Sequence, residues 1–290
     1  MNKTTLARPS FRTLLVLGRV SNLPTVWSNC LAGWLIAGGG IMPRLVLLCV
    51  GASFLYLGGM FLNDAFDVEF DRQHRPERPV PSGAITLRAV LICGCGWLLA
   101  GVLCMSFLGQ IPVLVALLLA IAIVIYDAIH KILLLAPILM AICRFLLVLM
   151  AAASAVNGIV GLSIWTALVL AAYIIGLSYL ARKESTPGPL QYWPCVFLGA
   201  PIILALIVNQ GPFQKRAAIL AAILVVWLFR SLRFLYWYAQ PNIGRAVSSL
   251  LAGIVLVDVL ATGGLTPGAN LTFGILFVLA VIFQRLIPAT

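Results

Sequence analysis

The residues best suited to chemistry in this sequence lie in one segment, residues 61–83. This segment holds five of the eight acidic residues of the 290-residue chain: Asp64, Asp67, Glu69, Asp71 and Glu77. Asn63, Asp67 and Asp71 are spaced four residues apart, so on a continuing helix their side chains would lie along one slowly drifting stripe. Amide and carboxylate oxygens are the ligands that a hard cation such as Mg²⁺ prefers. The spacing therefore predicts a metal site formed by these three residues.

Positive side chains follow the acidic stripe at once. Arg75 and Arg78 each precede a proline, and three prolines should keep residues 75–82 out of a helix. A divalent metal with cations beside it is suited to holding a phosphate ester. The alternative is a solvated loop at a helix end. Carboxylates there would face the unfavourable end of the helix dipole, which a bound cation would offset.

The elements that must position these residues are membrane helices. The chain is 62% hydrophobic and 9% charged, with a mean hydropathy of +1.10. Stretches of ~18 or more apolar residues are typical of transmembrane helices. We expect spans near 20–40, 42–63, 88–108, 110–127, 133–155, 161–181, 192–209, 216–238, 244–262 and 269–287. The prediction is an all-α fold: a polytopic helical membrane bundle of nine transmembrane helices, with ten as the alternative, in a single domain over residues 1–290.

The formal net charge of +11 does not indicate nucleic-acid binding. The basic residues are not massed in one patch, because they stand singly or in pairs at the ends of apolar stretches. This distribution is typical of helices oriented by positively charged cytoplasmic loops. It predicts a cytoplasmic N-terminus and four cytoplasmic loops, 64–87, 128–132, 182–191 and 239–243. We therefore expect an integral protein of the inner or plasma membrane, surrounded by membrane lipids, with its active-site loops on the cytoplasmic side.

Two charged residues stand inside apolar stretches. Arg144 lies near the middle of a span, where burying an unpaired Arg costs ~2.5–3.5 kcal/mol on insertion scales. It should face the bundle interior and find an anion, either a carboxylate or a ligand. Asp258 is likewise an ionisable residue inside an apolar span, near the end of the chain. It could be paired, neutral or part of a polar lining.

A third polar group stands at one helix end, where the sequence YDAIHK holds Tyr126, Asp127, His130 and Lys131. Lys131 follows Asp127 at i+4, so one interpretation is an ordinary surface ion pair worth a few tenths of a kcal/mol. The other is a cation that reaches a phosphate near the Asn63–Asp71 stripe.

These segments together resemble a known family. The string Asn63-Asp64-x-x-Asp67-x-x-x-Asp71, followed by Arg75-Pro76-x-Arg78-Pro79 and Ser82-Gly83, resembles the first aspartate-rich motif of the UbiA-type intramembrane prenyltransferases. Arg19-Val-Ser-Asn22-Leu-Pro24 looks like the entry helix of that family. Tyr126 with Lys131 is similar to its Tyr/Lys loop, and Arg144 resembles the Arg of its fifth span. The likeness covers most of residues 15–185.

The resemblance implies a bundle, usually of nine spans, with a central cavity open toward lipid and capped by cytoplasmic loops. It implies transfer of a prenyl or polyisoprenoid group from its diphosphate to an apolar acceptor, such as an aromatic ring, with Mg²⁺ as cofactor. The metal ligands would be Asn63, Asp67 and Asp71. The residues carrying catalysis would be Asp67, Asp71 and Lys131. The diphosphate would be bound by Arg19, Asn22, Arg75, Tyr126, Arg144, Arg182 and Lys183.

The sequence departs from the family pattern after the sixth span. A second aspartate-rich motif is expected there, but residues 176–186 contain no aspartate, and Arg182 and Lys183 stand in its place. One hypothesis is that these two cations contact the diphosphate and replace a second Mg²⁺. The rival is a non-catalytic protein that binds or transports a prenyl lipid. A third hypothesis is an ion-coupled transporter that uses Asp258 and Arg144.

Overall fold

A computed structural model describes residues 10–184, 188–208, 211–262 and 267–287. Within these ranges the regular secondary structure is helical, and the predicted all-α class is confirmed. The helices are α1 (Phe11–Leu17), α2 (Leu23–Ile36), α3 (Met42–Phe66), α4 (Val68–His74), α5 (Leu87–Ser106), α6 (Gln110–Ile129), α7 (Ala136–Ala153), α8 (Gly161–Ala181), α9 (Pro194–Val208), α10 (Gln214–Tyr236), α11 (Ile243–Ala261) and α12 (Pro267–Leu286).

The chain is an integral membrane protein, as predicted. Eight of the described helices are long and apolar enough to cross a membrane. They are α3, α5, α6, α7, α8, α10, α11 and α12. Two further helices, α2 with 14 residues and α9 with 15, coincide with predicted spans but are shorter. The predicted number of nine spans is therefore approximate, although each of the ten predicted segments corresponds to one of these helices.

Helices α2, α7 and α11 lie at the centre of the bundle. One buried apolar cluster joins them to α3, α5, α6 and α12, and a second joins α7 and α11 to α8, α9 and α10. All three central helices carry polar side chains that are buried, including Asn29, Arg144 and Asp258. Because buried polar groups need hydrogen-bond partners in the membrane interior, these residues must find them in one another.

The length of α3 explains why the acidic stripe lies at a membrane edge. Its 25 residues span about 37 Å, more than the ~30 Å hydrocarbon thickness of a bilayer. The end that carries Asn63 can therefore reach the polar interface, and α4 continues from it. The following residues 75–85 form turns, as the prolines predicted. Ile85 and Val90 pack this segment against Leu17 and Phe61.

Glycines bring α3 and α5 into close contact. Gly51 and Gly58 on α3 face Gly101 and Gly94 on α5, so each helix presents a pair of glycines seven residues apart. A Cβ atom added at Gly101 would lie 2.9 Å from the carbonyl oxygen of Gly51 and 2.6 Å from Cγ of Leu55. Small residues at such an interface let two backbones approach, which favours helix association in membranes. This packing holds the end of α3 in place.

Replacing Gly101 by Ala is expected to destabilise the protein by about 1–3 kcal/mol, because the new methyl group overpacks a backbone contact. The matched control is Gly96→Ala on the same helix, where an added Cβ meets nothing within 4 Å. This control should be neutral or slightly stabilising, since Ala favours a helix over Gly. Thermal unfolding of the two variants in detergent measures the difference. Equal unfolding temperatures would show that the glycine contact contributes nothing.

Candidate active site

A polar cavity of about 460 Å³ lies where the ends of α3, α6, α7 and α8 meet. Ten of the eleven site residues predicted from the sequence line it, and Lys183 does not. They are Arg19, Asn22, Asn63, Asp67, Asp71, Arg75, Tyr126, Lys131, Arg144 and Arg182. These residues come from positions 19 to 182 of the chain, so the fold collects them from five separate segments: 19–22, 63–75, 126–131, 144 and 182.

The acidic stripe follows an almost unbroken helix. Asp67 alone separates α3 from α4, and backbone hydrogen bonds of the i to i−4 type continue across it. The amide N–H of Asp67 donates to Asn63 O at 2.9 Å, and that of Asp71 donates to Asp67 O at 2.9 Å. The predicted periodicity is therefore preserved, and all three side chains reach the same cavity.

Asp67 is the carboxylate that two neighbouring side chains, those of Lys131 and His130, engage. Its Oδ1 lies 2.8 Å from Lys131 Nζ and 3.4 Å from His130 Nε2. Burial alone would raise the pKa of Asp67, but the hydrogen bonds from His130 and Lys131 outweigh it, so the pKa lies below its ordinary value. Lys131 also lies 3.7 Å above the ring of Phe70. The alternative of an ordinary Lys131–Asp127 surface pair is wrong, because Lys131 turns to the acidic stripe instead.

Asp71 is buried, with 3% of its surface exposed. Its carboxylate makes no hydrogen bond or ion pair to any residue in the described ranges. Burial raises the pKa of Asp71, and the nearby positive charge of Arg78 only partly opposes this effect. A buried carboxylate with so little compensation is a group that a bound cation would stabilise.

Asp64 holds two arginines at the mouth of the cavity. Its Oδ1 lies 3.3 Å from Arg19 Nη2 and 3.2 Å from Arg78 Nη1, and the carboxylate is buried. The same Arg19 nitrogen donates to Oδ1 of Asn63 at 3.1 Å. Both arginines line the cavity, so Asp64 sets the position of two cations there without lining it.

The backbone at Arg19 is held in an unusual conformation. Its φ of 41° makes it the one non-glycine residue with positive φ in the described part of the chain. It lies in the break between α1 and α2, and the hydroxyl of Tyr56 donates to its carbonyl oxygen at 3.2 Å. Left-handed conformations of non-glycine residues occur most often where the surroundings determine them, at functional sites above all. Here the surroundings turn the Arg19 side chain toward the acidic stripe.

Asp127 lies beneath the stripe and is buried. The side-chain amide of Asn63 donates to its Oδ1 at 3.1 Å, whereas Oδ2 is buried without a hydrogen-bond partner in the described structure. Asn63 therefore has its amide nitrogen turned to Asp127 and its oxygen turned toward the cavity and Arg19. This orientation presents the oxygen of Asn63, the atom that could bind a metal.

Residues 182–184 take the place of the second aspartate-rich motif. Some of their side chains line the cavity and one does not. Arg182 lines the cavity, but its Nη1 donates to the carbonyl oxygens of Leu133 and Leu134 at 2.9 and 3.0 Å. Lys183 lies outside the lining, with Nζ beside Gly188. Glu184 does line the cavity. The segment thus contributes one cation and one carboxylate to the cavity rim.

An apolar chamber of about 80 Å³ lies below the polar cavity. Tyr56, Met60, Tyr126, Met140 and Arg144 line both spaces, so the chamber adjoins the cavity at these residues. The rest of its lining is mostly apolar: Val26, Ala52, Leu55, Gly59, Leu119, Ile123, Asp127, Cys143 and Leu147. Such an arrangement can take an anionic group in the cavity and a short apolar group in the chamber, which is smaller than the ~300–1,000 Å³ of typical ligand pockets.

Several cavity residues were not among the predicted site residues. Tyr56 precedes Asn63 by seven residues, two turns of α3, so helical periodicity could have identified it. Arg78 belongs to the acidic segment itself, as does Asp64, which contacts Arg78 from outside the cavity lining. His130, which stacks on Tyr126 with ring centroids 5.0 Å apart, had no recognisable ligand spacing. Glu184 was not identified because the interpretation of this segment rested on the two basic residues before it.

The predicted metal ligands fit a hard divalent cation by their chemistry. Asn63, Asp67 and Asp71 offer one amide and two carboxylate oxygens on one side of the cavity, and Asp71 is buried without a partner. Among the described residues, no three His, Cys, Asp or Glu side chains already form a metal-binding cluster. The predicted site has only two carboxylates, because its third ligand is the amide of Asn63. It would therefore not be counted as such a cluster of three.

A helical membrane bundle with a charge-rich cavity next to an apolar chamber places this chain in the class of polytopic helical membrane proteins with an internal cavity. The model of the UbiA prenyltransferase family matches residues 23–240. The chain therefore belongs to the UbiA prenyltransferase family, and the resemblance seen in the motifs is confirmed.

Curated relatives match part of the chain. The digeranylgeranylglyceryl phosphate synthase of Metallosphaera sedula is 38% identical over 83 residues, which are 29% of each chain. That of Methanothrix thermoacetophila is 35% identical over 118 residues, 40% of this chain and 44% of the relative. The chain thus matches less than half of the length of these relatives.

Solved structures match almost the whole fold. A structure described as concerning digeranylgeranylglyceryl phosphate synthase in membranes is 19% identical, has a TM-score of 0.58, and covers 93% of this chain and 98% of its own. A UbiA homologue from Archaeoglobus fulgidus bound to DMAPP and Mg²⁺ is 16% identical, has a TM-score of 0.55, and covers 94% of this chain and 98% of its own. At these identities the likeness shows the UbiA fold.

Proposed function

We propose that this protein transfers a prenyl group from a prenyl diphosphate to an apolar acceptor and requires Mg²⁺. The observation that carries the proposal is the cavity itself. It combines the oxygen ligands of Asn63, Asp67 and Asp71 with the cations of Arg19, Arg75, Arg78 and Lys131 directly above an apolar chamber. Membership of the UbiA family and the DMAPP and Mg²⁺ bound by the Archaeoglobus homologue support it.

In this mechanism the diphosphate lies among the cations of the cavity, and the allylic end of the prenyl chain lies at the junction with the apolar chamber. Mg²⁺ held by Asn63, Asp67 and Asp71 would neutralise charge on the diphosphate. The bond between the allylic carbon and the diphosphate oxygen breaks as Lys131 and Arg75 stabilise the charge on the departing group. An electron pair of the acceptor forms the new bond to carbon, and the proton lost by the acceptor leaves with the diphosphate.

The junction of the two spaces suits the positive charge that develops on the allylic carbon. Tyr56 and Tyr126 line both spaces, and aromatic faces attract cations. The apolar walls exclude water, which would otherwise capture the cation. We further propose that the cavity opens to the cytoplasmic side of the inner or plasma membrane, because positively charged loops surround it.

A non-catalytic prenyl-lipid-binding or transport protein is the second candidate. The observation that favours it is the rim segment 182–184, which supplies a single carboxylate where a second metal site is expected. The decisive test incubates purified protein with prenyl diphosphates of several chain lengths, with and without a membrane lipid extract as the source of acceptor, and measures diphosphate release with Mg²⁺ and with EDTA. Release that requires Mg²⁺ and an acceptor supports the transferase. Tight binding of prenyl diphosphate without any release supports the second candidate and contradicts transfer.

Replacing Asp71 by Asn is expected to raise the unfolding temperature of the metal-free protein by a few degrees, because the buried carboxylate has no partner there. The same change should abolish the stabilisation that Mg²⁺ gives to the wild-type chain. Mg²⁺ that binds only the folded state stabilises it by an amount that grows with the logarithm of its concentration divided by its Kd. Thermal unfolding in detergent across a Mg²⁺ titration measures both effects. A variant that Mg²⁺ stabilises as strongly as wild type would exclude Asp71 as a ligand.

A further inference from the structure

A connected polar network joins α2, α7 and α11 in the membrane interior. Arg144 donates from Nη1 to Asn29 Oδ1 at 2.7 Å and from Nη2 to Thr25 Oγ1 at 3.2 Å. Asn29 Nδ2 in turn donates to the carboxylate of Asp258, at 2.8 Å to Oδ2 and 3.0 Å to Oδ1. Ser28 completes the set by donating its hydroxyl to the same carboxylate. The network explains how α2 and α11 accommodate these buried polar groups.

The order of the groups in this network is dictated by their chemistry. A guanidinium group can only donate hydrogen bonds, and an ionised carboxylate can only accept them. Asn29 lies between the two, so its oxygen must face Arg144 and its nitrogen must face Asp258. The carboxylate therefore fixes the orientation of the amide, and the amide fixes the position of the guanidinium. Arg144 and Asp258 are joined through Asn29 and make no direct ion pair.

The two charged ends of the network have different surroundings. Asp258 is 1% exposed and lies outside the lining of both spaces, whereas Arg144 lines both the polar cavity and the apolar chamber. Arg144 uses two of its five N–H groups on Asn29 and Thr25, which leaves donors for the cavity. An arginine in mid-span tends to extend toward the polar interface, so holding it at this depth requires fixed acceptors.

We propose that Asn29, Thr25 and Asp258 are positioning residues for the anion-binding function of Arg144. They hold its guanidinium at the junction of the cavity and the chamber, while the amide of Asn29 keeps the compensating carboxylate one side chain away. The guanidinium thus remains available to an anionic group of the substrate. The proposal rests on the proposed function in that the anion is the diphosphate of a prenyl donor.

The test exchanges the amide and the carboxylate in the double variant Asn29→Asp/Asp258→Asn. Net charge and side-chain shapes are preserved, but the carboxylate now contacts Arg144 directly and competes with the substrate anion. The expected result is binding about tenfold weaker for a non-hydrolysable geranyl diphosphate analogue, at an unfolding temperature close to wild type. Inorganic diphosphate is titrated in parallel.

Thr25→Val, which removes one acceptor from Arg144 and leaves Asp258 satisfied, should weaken binding severalfold.

The matched control is Tyr173→Phe. Its hydroxyl donates to Leu250 O of α11 at 2.8 Å, and the residue is buried away from the cavity. This variant should lose stability and keep wild-type affinity. An exchange variant that folds and binds with wild-type affinity would overturn the proposal, because the network would then only join helices. If the exchange variant does not fold, unchanged affinity in Thr25→Val overturns it.

The measurement separates this proposal from the proposed function because it needs no turnover. A wild-type chain that binds the analogue but releases no diphosphate from geranyl diphosphate itself contradicts transfer alone, and the variants still decide the role of the network. A wild-type chain that binds neither the analogue nor inorganic diphosphate overturns both.

Discussion

Replacing Asp67 by Asn is expected to lower the Mg²⁺-dependent turnover of prenyl diphosphate by about 10²–10³-fold, the usual effect of removing one group that stabilises charge in a transition state. Asp67 has two roles in the proposed site, because it is a predicted metal ligand and it also positions a cation. It belongs to the predicted metal ligands, and its Oδ1 holds Lys131 Nζ at 2.8 Å. Its loss would weaken metal binding and release the cation that faces the departing diphosphate.

The measurement is steady-state diphosphate release by purified wild-type and variant protein over a range of Mg²⁺ concentrations. Excess Mg²⁺ should restore only part of the rate, because the position of Lys131 is lost as well. Glu69→Gln is the matched control. Glu69 lies on α4 two residues away, and its side chain is 73% exposed and pairs with Arg72 in solvent. Equal rates for both variants would contradict a role for Asp67 in the reaction.

Replacing Asp64 by Asn is expected to destabilise the protein by about 3 kcal/mol, because removing one partner of a buried ion pair leaves the other charges without compensation. Asp64 lies between Arg19 and Arg78, at 3.3 and 3.2 Å. Without the carboxylate the two guanidinium groups would repel each other. The change should lower the unfolding temperature by roughly 6–12 °C, taking about 2–4 °C for each kcal/mol.

Thermal unfolding in detergent tests this prediction, and a second substitution sharpens it. Arg78→Gln in the Asp64→Asn background should recover part of the lost stability, since it removes one of the two unpaired cations. The sum of the single effects would then exceed the effect of the double variant. Arg72→Gln is the control for an exposed pair, whose contribution is about 0–1 kcal/mol. Losses of equal size in Asp64→Asn and Arg72→Gln would contradict a structural role for the buried pairs.

Residues 182–184 stand where the second aspartate-rich motif is expected, and their role was predicted from that position in the sequence. The structure shows that their side chains point in different directions. Arg182 and Lys183 are adjacent in sequence, so both were predicted to contact diphosphate. Residues Arg182–Glu184 form a 3₁₀ turn, in which consecutive side chains point about 120° apart. Lys183 consequently lies outside the cavity lining, and Arg182 holds the backbone of residues 133–134. Direct diphosphate contact by these two side chains remains a prediction.

The helical membrane class and the stripe of Asn63, Asp67 and Asp71 could both be predicted from the amino-acid sequence. Both depend on patterns local to the chain: long apolar stretches, and a four-residue period that a helix turns into one face. Arg144 and Asp258 could be identified as unusual by the same reasoning, since a charge in an apolar span needs a partner. Local patterns cannot identify the partner of Arg144 or Asp258, because the partner depends on which helices become neighbours in the bundle.

The partners of these charged residues depend on the tertiary structure. Lys131 contacts Asp67, 64 positions earlier in the chain, and not Asp127 on its own helix turn. Arg144 and Asp258 meet through Asn29, an amide that no spacing in the sequence connects to either. In the low-dielectric interior an unpaired charge is so unfavourable that packing and pairing must be satisfied together. Those pairings are therefore a property of the assembled bundle, and they position the cations of the candidate site.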